Sequence, residues 1–563
     1  MSKFHSVYPH VLPNISDWPI YKLARDRQEF IALLEEEVMD KFTEKYGDDL
    51  EKIIAKTIYL EKKRCKENPW KIDPANEIKY WSALGKEFQN NKSSENPDVK
   101  NRQLLKKITN RYCEEILGDF KIKTFKFARR FLTSLFKRLL TAAADRRHLL
   151  WGSRKKLYKK ISVAGAIEKV RSLMTKGTVV IVPTHLSNID SILLGYAMDG
   201  VAGLPAFSYG AGLNLYDLEL VAYFMDRLGA YKVDRRKKNP IYLETLKNMS
   251  KLSIERGVNS LFFPGGTRSR SGELERNLKM GLLGTIIEAQ RSLYQDGKDE
   301  KIFLVPLTMS YNFVLEAKFL IENHLRYTGR EKYIKSKDQA KSYRNFISFF
   351  WKLFSASSEI YLSFAEPMDV FGHEVDHEGN SYNQLGQELD LKEYFMMNGS
   401  LLTNSQRESV YTKKLADKIL ESFRKTNIVL ASHMVAFTAF RLFKNKYKDL
   451  DLWDLVNLGE GAFKIPMDDF VAALDLVWGR IKALVEKGKA STLDKYSNMT
   501  TEEIAKEGIA NLGVYHNKKP LIMEDGVVRS QEYKLLYYYH NRMTHYNIDI
   551  KQEKEPSQEL ILD

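Results

Sequence analysis

Over the first 120 positions apolar residues recur at helical spacing. Phe30, Leu33, Leu34, Val38 and Phe42 fall three and four residues apart with Glu and Lys between them. Leu50, Ile53, Ile54 and Ile58 repeat the pattern. The stretch Asn68-Pro-Trp-Lys-Ile-Asp-Pro74 breaks it with two prolines, and residues 90–97 (NNKSSENP) are polar enough for a loop. A helical N-terminal domain over residues 1–120 is predicted.

From about Ile161 the pattern changes to short apolar, β-branched runs. Thr178–Pro183, Asn259–Phe263, Ile302–Pro306 and Glu359–Phe364 read as buried strands, with helical patterns such as Ile241–Ile254 between them. Strands alternating with helices predict an α/β domain over residues 121–400, a mixed central sheet flanked by helices. Residues 372–400 are polar and rich in Gly and Asn, a surface insertion. A helical C-terminal domain is expected over residues 401–563, ending in a polar tail from Asn547.

No run of roughly 18 apolar residues occurs, so no membrane-spanning helix is predicted. Ile428–Phe440 (IVLASHMVAFTAF) is too short to span, contains His433, and reads as a buried helix. The first residues lack the apolar core of a signal peptide. Cys65 and Cys113 are the two cysteines, with no spacing for a zinc ribbon or redox pair, which suits a cytosolic chain.

Lys and Arg exceed Asp and Glu by 88 − 73 = 15, which calls for an anionic partner: nucleic acid, acidic membrane or phosphorylated substrate. Residues 125–140 (FKFARRFLTSLFKRLL) place Phe125, Ala128, Leu132, Leu135, Phe136 and Leu139 on one helical face, flanked by Arg129, Arg130, Lys137 and Arg138. Such a helix suits an anionic bilayer surface, and equally an ordinary helix packed on a core. Arg154, Lys155 and Lys156 extend the charge, and Phe131 adds an aromatic. No nucleic-acid module accompanies the charge, and the Tyr-rich segment 533–546 reads as core, so nucleic acid is set aside.

Candidate chemistry sits where strands end. After Pro183 come Thr184-His185-Leu-Ser-Asn-Ile-Asp190. A polar side chain just past a buried strand stands at the sheet edge where α/β proteins place their sites. His185 can act as a base if Asp190 fixes its tautomer; taken alone, a capped helix with an incidental histidine explains this spacing better. Phe262-Phe-Pro-Gly-Gly266-Thr267-Arg268-Ser269-Arg270-Ser-Gly272 offers backbone N–H groups and two guanidiniums to phosphate oxygens, without the Gly-Lys-Ser/Thr ending of a P-loop. Gly229-Ala-Tyr-Lys232-Val-Asp-Arg235 adds cations, and Val305-Pro306-Leu-Thr-Met-Ser-Tyr311 reads as a core strand running to a site wall. Gly372-His373-Glu374-Val-Asp-His377 has the zinc-protease form His-Glu-x-x-His, but it lacks the apolar face of a buried helix and reads as a polar loop, with no metal predicted.

In this order and spacing the four blocks resemble the glycerol-3-phosphate acyltransferase and lysophosphatidate acyltransferase superfamily. His185 and Asp190 match its His-x₄-Asp block, Gly229 and Arg235 its Gly-x₅-Arg block, Gly266–Arg270 its phosphate block and Val305-Pro306 its proline block. Ile360–Pro367 (IYLSFAEP) is similar to the family strand that follows. Leu535–His545 resembles the C-terminal Tyr-Tyr-x-Asn-x₃-His pattern of the large bacterial-type glycerol-3-phosphate acyltransferases.

The resemblance implies acyl transfer to the sn-1 hydroxyl of glycerol 3-phosphate from acyl-CoA or acyl-carrier protein, giving lysophosphatidic acid for phospholipid synthesis, with no cofactor. His185 would be the base and Asp190 its orienting partner. Arg235, Arg268 and Arg270, with Lys232 and Lys279, would hold the acceptor phosphate. Lysophosphatidate and dihydroxyacetone phosphate are alternative acceptors. The expected location is peripheral, on the cytoplasmic face of the cell membrane. The family's phosphate block usually carries a glutamate where this chain has Gly265, which bears on acceptor identity; Glu273 is a candidate substitute. A basic membrane- or anion-binding protein with a degenerate site is the non-enzymatic alternative, and the intact His185 and Asp190 argue against it.

Overall fold

The computed structural model describes residues 8–70, 72–143, 160–213, 219–328, 359–514 and 516–549, without the side chains of 48, 135–143, 219–222 and 328. Arg154, Lys155, Lys156 and the tail from residue 550 lie outside the described residues, as do the side chains of Leu135, Phe136, Lys137, Arg138 and Leu139.

The N-terminal helices are α1 (Pro19–Arg25), α2 (Arg27–Tyr46), α3 (Leu50–Glu67), α4 (Glu77–Lys92), α5 (Pro97–Ile116) and α6 (Ile122–Ala143). Asn68–Pro74 separates α3 from α4 as the prolines require, and Pro97 opens α5 at the position where its missing N–H costs nothing. Phe30, Leu34, Val38 and Phe42 of α2 meet Ile54 and Ile58 of α3, Trp81 of α4 and Leu104, Ile108 and Tyr112 of α5 in one core.

Among the described residues the central sheet has seven strands: β1 (Ile161–Gly165), β2 (Gly177–Pro183), β3 (Ser208–Gly212), β4 (Ala230–Val233), β5 (Ser260–Leu261), β6 (Lys301–Ser310) and β7 (Ile360–Phe364). Their spatial order is β1-β7-β6-β2-β5-β3-β4. β6 and β7 run antiparallel and the other pairings are parallel, so the sheet is mixed. Helices α7 (Ile167–Leu173), α8 (Asp190–Gly200), α9 (Glu219–Arg227), α10 (Pro240–Glu255), α11 (Met280–Gln295) and α12 (Ala317–Thr328) flank it. Strands β2, β6 and β7 lie where the apolar runs predict them. The run at Asn259–Phe263 yields two paired residues, because the chain leaves the sheet at Phe262 for the glycine-rich turn. β1, β3 and β4 are not predicted by that pattern: β3 is Ser-Tyr-Gly-Ala-Gly, with little apolar side chain to mark it.

Beyond the sheet come α13 (Ser405–Thr426), α14 (Ala431–Lys446), α15 (Leu452–Val456), α16 (Met467–Glu486), α17 (Thr501–Asn511) and α18 (Tyr533–His540). Ile428 and Val429 form a short strand beside Ser491 and Thr492, and the rest of the predicted buried helix is α14. His433 is buried there, and burial pushes its pKa down to about 3. No helix among the described residues is long and apolar enough to cross a membrane. The His-Glu-x-x-His segment is part of an antiparallel hairpin, Glu374–Val375 against Ser381–Tyr382, rather than a helix. His373 Nδ1 there meets Asp369 Oδ2 at 2.9 Å.

Neither flanking helical region packs alone. The N-terminal core includes Tyr231 on β4 and Ile241, Tyr242 and Met249 on α10. The C-terminal helices share a core with β1, β2, β6 and β7. At α18 the contact is close enough to dictate a residue. Gly272 has φ 87°, and a Cβ there would fall inside the van der Waals contact of the Tyr538 carbonyl oxygen. Gly272→Ala is therefore expected to cost more than about 1 kcal/mol in thermal or denaturant unfolding, through torsional strain and displacement of α18. Unchanged stability would mean that α18 does not rest on this turn.

Candidate active site

His185 stands just past β2. Thr184 continues the sheet pairing, donating its N–H to the Leu307 carbonyl at 3.0 Å and accepting the Met309 N–H on Oγ1 at 3.2 Å. The chain then turns into α8, whose first residue is Asp190. The Asp190 carboxylate is fully buried. Its Oδ2 accepts the Leu186 N–H at 2.7 Å and the Ser187 N–H at 2.9 Å, and lies 2.9 Å from His185 Nδ1. Its Oδ1 accepts the Tyr311 hydroxyl at 2.8 Å. A carboxylate only accepts, so Nδ1 carries the proton and Nε2 is left as the basic atom. The ring stacks on Phe263, centroids 4.0 Å apart, which fixes its plane. Burial first and Asp190 next push the Tyr311 hydroxyl well above its ordinary pKa, so it stays a donor.

A second buried carboxylate joins this loop to the glycine-rich turn. Glu316, ahead of α12, accepts Ser187 Oγ–H at 2.6 Å and the Asn188 N–H at 3.0 Å. It also accepts Arg268 Nη1–H at 3.1 Å. The Ser269 N–H donates to the His185 carbonyl at 2.8 Å, so the turn is pinned against the histidine from both sides.

Arg235 lies within electrostatic reach of Arg268. Arg235 is reached by solvent, yet surrounding protein first and the like charge of Arg268 second push its pKa down. Among the described residues no carboxylate pairs with Arg235. Two guanidiniums that feel one another's charge, one without a counter-ion among the described residues, suit an anionic group. The remaining predicted residues are placed less centrally. Thr267 is exposed on the turn, and Arg270 points outward over the Tyr327 ring at 5.1 Å. The Lys279 stem lies over Gly266, where a Cβ would be 3.0 Å from its Cγ. Lys232 is paired with Asp226 at 3.2 Å. Pro306 is buried within β6 opposite Val182, so it shapes the sheet beneath the site and does not line it.

The cations after Arg235 face away. Arg236 bridges Asp234 and Asp73 and lies over Trp70, while Lys237 meets Glu115 at 2.6 Å. Asn239 Nδ2 donates to Glu61 Oε1 at 2.7 Å. Glu61 is buried beside Arg64, at 2.8 Å, and burial is the largest influence on its carboxyl, raising its pKa. The N-terminal helices thus grip the segment that presents Arg235. Sequence reasoning missed Glu316, Tyr311, Phe263 and Asp73 as site-building residues. Only Tyr311 carried a signal, at the end of a strand expected to reach the site.

Residues 162–310 match the family model described as Acyltransferase. Glycerol-3-phosphate acyltransferase of Aeromonas hydrophila is 28% identical over 279 residues, 49% of this chain and 30% of that protein. Its namesake in Shewanella loihica is 26% identical over 351 residues, 61% and 37% of the two chains. That of Shewanella frigidimarina is 25% identical over 412 residues, 69% and 45%. The matched regions thus span less than half the length of these curated relatives. The His-Asp pair and the glycine-rich turn with its arginines both lie inside residues 162–310, so the chain carries an acyltransferase domain similar to that of glycerol-3-phosphate acyltransferases.

Proposed function

We propose that the protein transfers a fatty acyl chain from acyl-CoA or acyl-carrier protein to the sn-1 hydroxyl of glycerol 3-phosphate. The observation that carries this reading is the pairing of an Asp190-held imidazole with the unneutralised Arg235 beside Arg268. A base whose Nε2 has no hydrogen-bond partner among the described residues, near two cations, suits an acceptor that carries a hydroxyl and a phosphate. Nε2 of His185 takes the hydroxyl proton, and the oxygen attacks the thioester carbonyl. The C–S bond breaks, and the leaving thiolate takes the proton from the imidazolium, which Asp190 stabilises until then and which returns to the neutral base. The names of these relatives support glycerol 3-phosphate as the acceptor.

We further propose that the protein works at an anionic membrane surface. The predicted apolar face of α6 is partly core: Phe125 and Ala128 are buried, and Arg129 is tied to Asp199 at 2.5 Å. Contact is instead supported by Phe127 and Phe131, about half exposed, with Phe127 stacked on Phe224 of α9 at 5.8 Å. Lys123, Lys126 and Arg130 are exposed on the same helix.

His185→Ala should fold normally and lower kcat by about 10³ or more, the loss expected of a general base. Turnover near wild type would remove this mechanism. Arg235→Ala should raise the KM for the phosphorylated acceptor by roughly one to two decades and leave the donor KM unchanged, the value of a charge-assisted contact. Arg268→Ala should also lower kcat, because it strips Glu316 of its counter-ion beside the His185 loop. Equal changes in both KM values for Arg235→Ala would exclude a phosphate role. In co-sedimentation with anionic liposomes, replacing Lys123, Lys126 and Arg130 with Gln should weaken binding by about 1 kcal/mol per cation and flatten its salt dependence. Binding equal to wild type would place the membrane contact elsewhere.

A further inference from the structure

Gly266 and Gly272 have φ of 75° and 87°, but Gly265 is not in the left-handed region. Its backbone therefore does not demand glycine. What a side chain would meet there is Glu275: a Cβ on residue 265 falls 3.1 Å from Glu275 Cγ and 3.7 Å from Oε1. The space beside residue 265 is filled from ten positions further along the chain.

Glu275 has work at that position. Its Oε1 accepts the His185 N–H at 2.8 Å. Asp190 accepts the next two N–H groups, so the amides of residues 185, 186 and 187 all end on two carboxylates. Burial raises the Glu275 pKa, opposed first by the His185 N–H and further by the charge of Arg542. Arg542 is buried behind the turn and donates to the Met309 carbonyl at 2.8 Å. Glu273, the substitute suggested by sequence, is committed elsewhere: its carboxylate pairs with exposed Arg276 at 2.5 Å.

We propose that Glu275 is a positioning residue for His185, supplying across the glycine-rich turn the carboxylate that residue 265 lacks. The proposal rests on the acyl-transfer reading of the site. It makes residues 265 and 275 a coupled pair: one carboxylate fits between the turn and the His185 amide, from either position, and two do not.

The test compares full-length wild type, Glu275→Ala, Gly265→Glu and the double variant by thermal unfolding and by palmitoyl transfer from palmitoyl-CoA to glycerol 3-phosphate. Glu275→Ala should lower kcat at least about tenfold while the acceptor KM stays within about threefold, the signature of a misplaced base. Gly265→Glu should lose activity and unfold at a lower temperature, because the two side chains crowd. The double variant should return to within about threefold of wild-type kcat and unfold above Gly265→Glu, a non-additivity expected only of neighbours. Lower stability with unchanged kcat in Glu275→Ala would overturn the proposal, as would a double variant no better than the worse single. If Glu275→Ala does not fold, the double variant decides: folding and turnover recovered together support the proposal, and loss of either overturns it. If wild type transfers no acyl group, the functional reading falls, and the unfolding midpoints alone judge the pair: relief of crowding in the double variant supports it, and additive losses overturn it.

Discussion

Asp190 accepts hydrogen bonds from His185, from the amides of Leu186 and Ser187 and from the Tyr311 hydroxyl, all within one buried carboxylate. An isolated charge at that depth would cost several kcal/mol; four donors and the N-terminus of α8 offset it. The arrangement requires β2 and β6 to lie side by side, because Tyr311 follows β6 and His185 follows β2. The geometry of the His185 imidazole is thus a consequence of sheet order, and the register between Pro183 and Leu307 sets it.

Around this centre the flanking helices act as supports. The N-terminal helices hold the segment carrying Arg235 through Asp73, Glu115 and Glu61. The C-terminal segment presses on the glycine-rich turn from the other side, with Asn541 Nδ2 donating to the Ser271 carbonyl at 2.8 Å. Shared cores make both supports rigid, since buried interfaces transmit displacement and do not absorb it. Acceptor affinity and turnover are expected to respond to changes well outside residues 162–310 for this reason.

Much of this was legible in the sequence, for identifiable reasons. The His-x₄-Asp spacing bridges one tight turn, so it survives as a linear pattern. Long apolar strands such as β6 announce themselves, while β3, built of Ser, Tyr, Gly and Ala, does not. The sequence pattern put Phe125 and Ala128 on the apolar face of α6, and the fold buries both, while Phe127 and Phe131, off that face, stay outside. Glu316 and Glu275 escaped notice because a lone glutamate has no pattern, and only the fold reveals which amides it serves. The nearest acidic residue after Gly265, Glu273, drew attention by proximity in sequence, yet the chain turns so that Glu275 reaches inward.

In the proposed reaction the His185 imidazole and the arginines Arg235 and Arg268 act on one small phosphorylated alcohol. The most direct measurement offers purified protein glycerol 3-phosphate, dihydroxyacetone phosphate and lysophosphatidate in parallel, each with palmitoyl-CoA or palmitoyl-carrier protein, and resolves the lipid products. The account predicts lysophosphatidate formed from glycerol 3-phosphate as the dominant product. Acylation of lysophosphatidate alone, or no acyl transfer to any of the three, would contradict it.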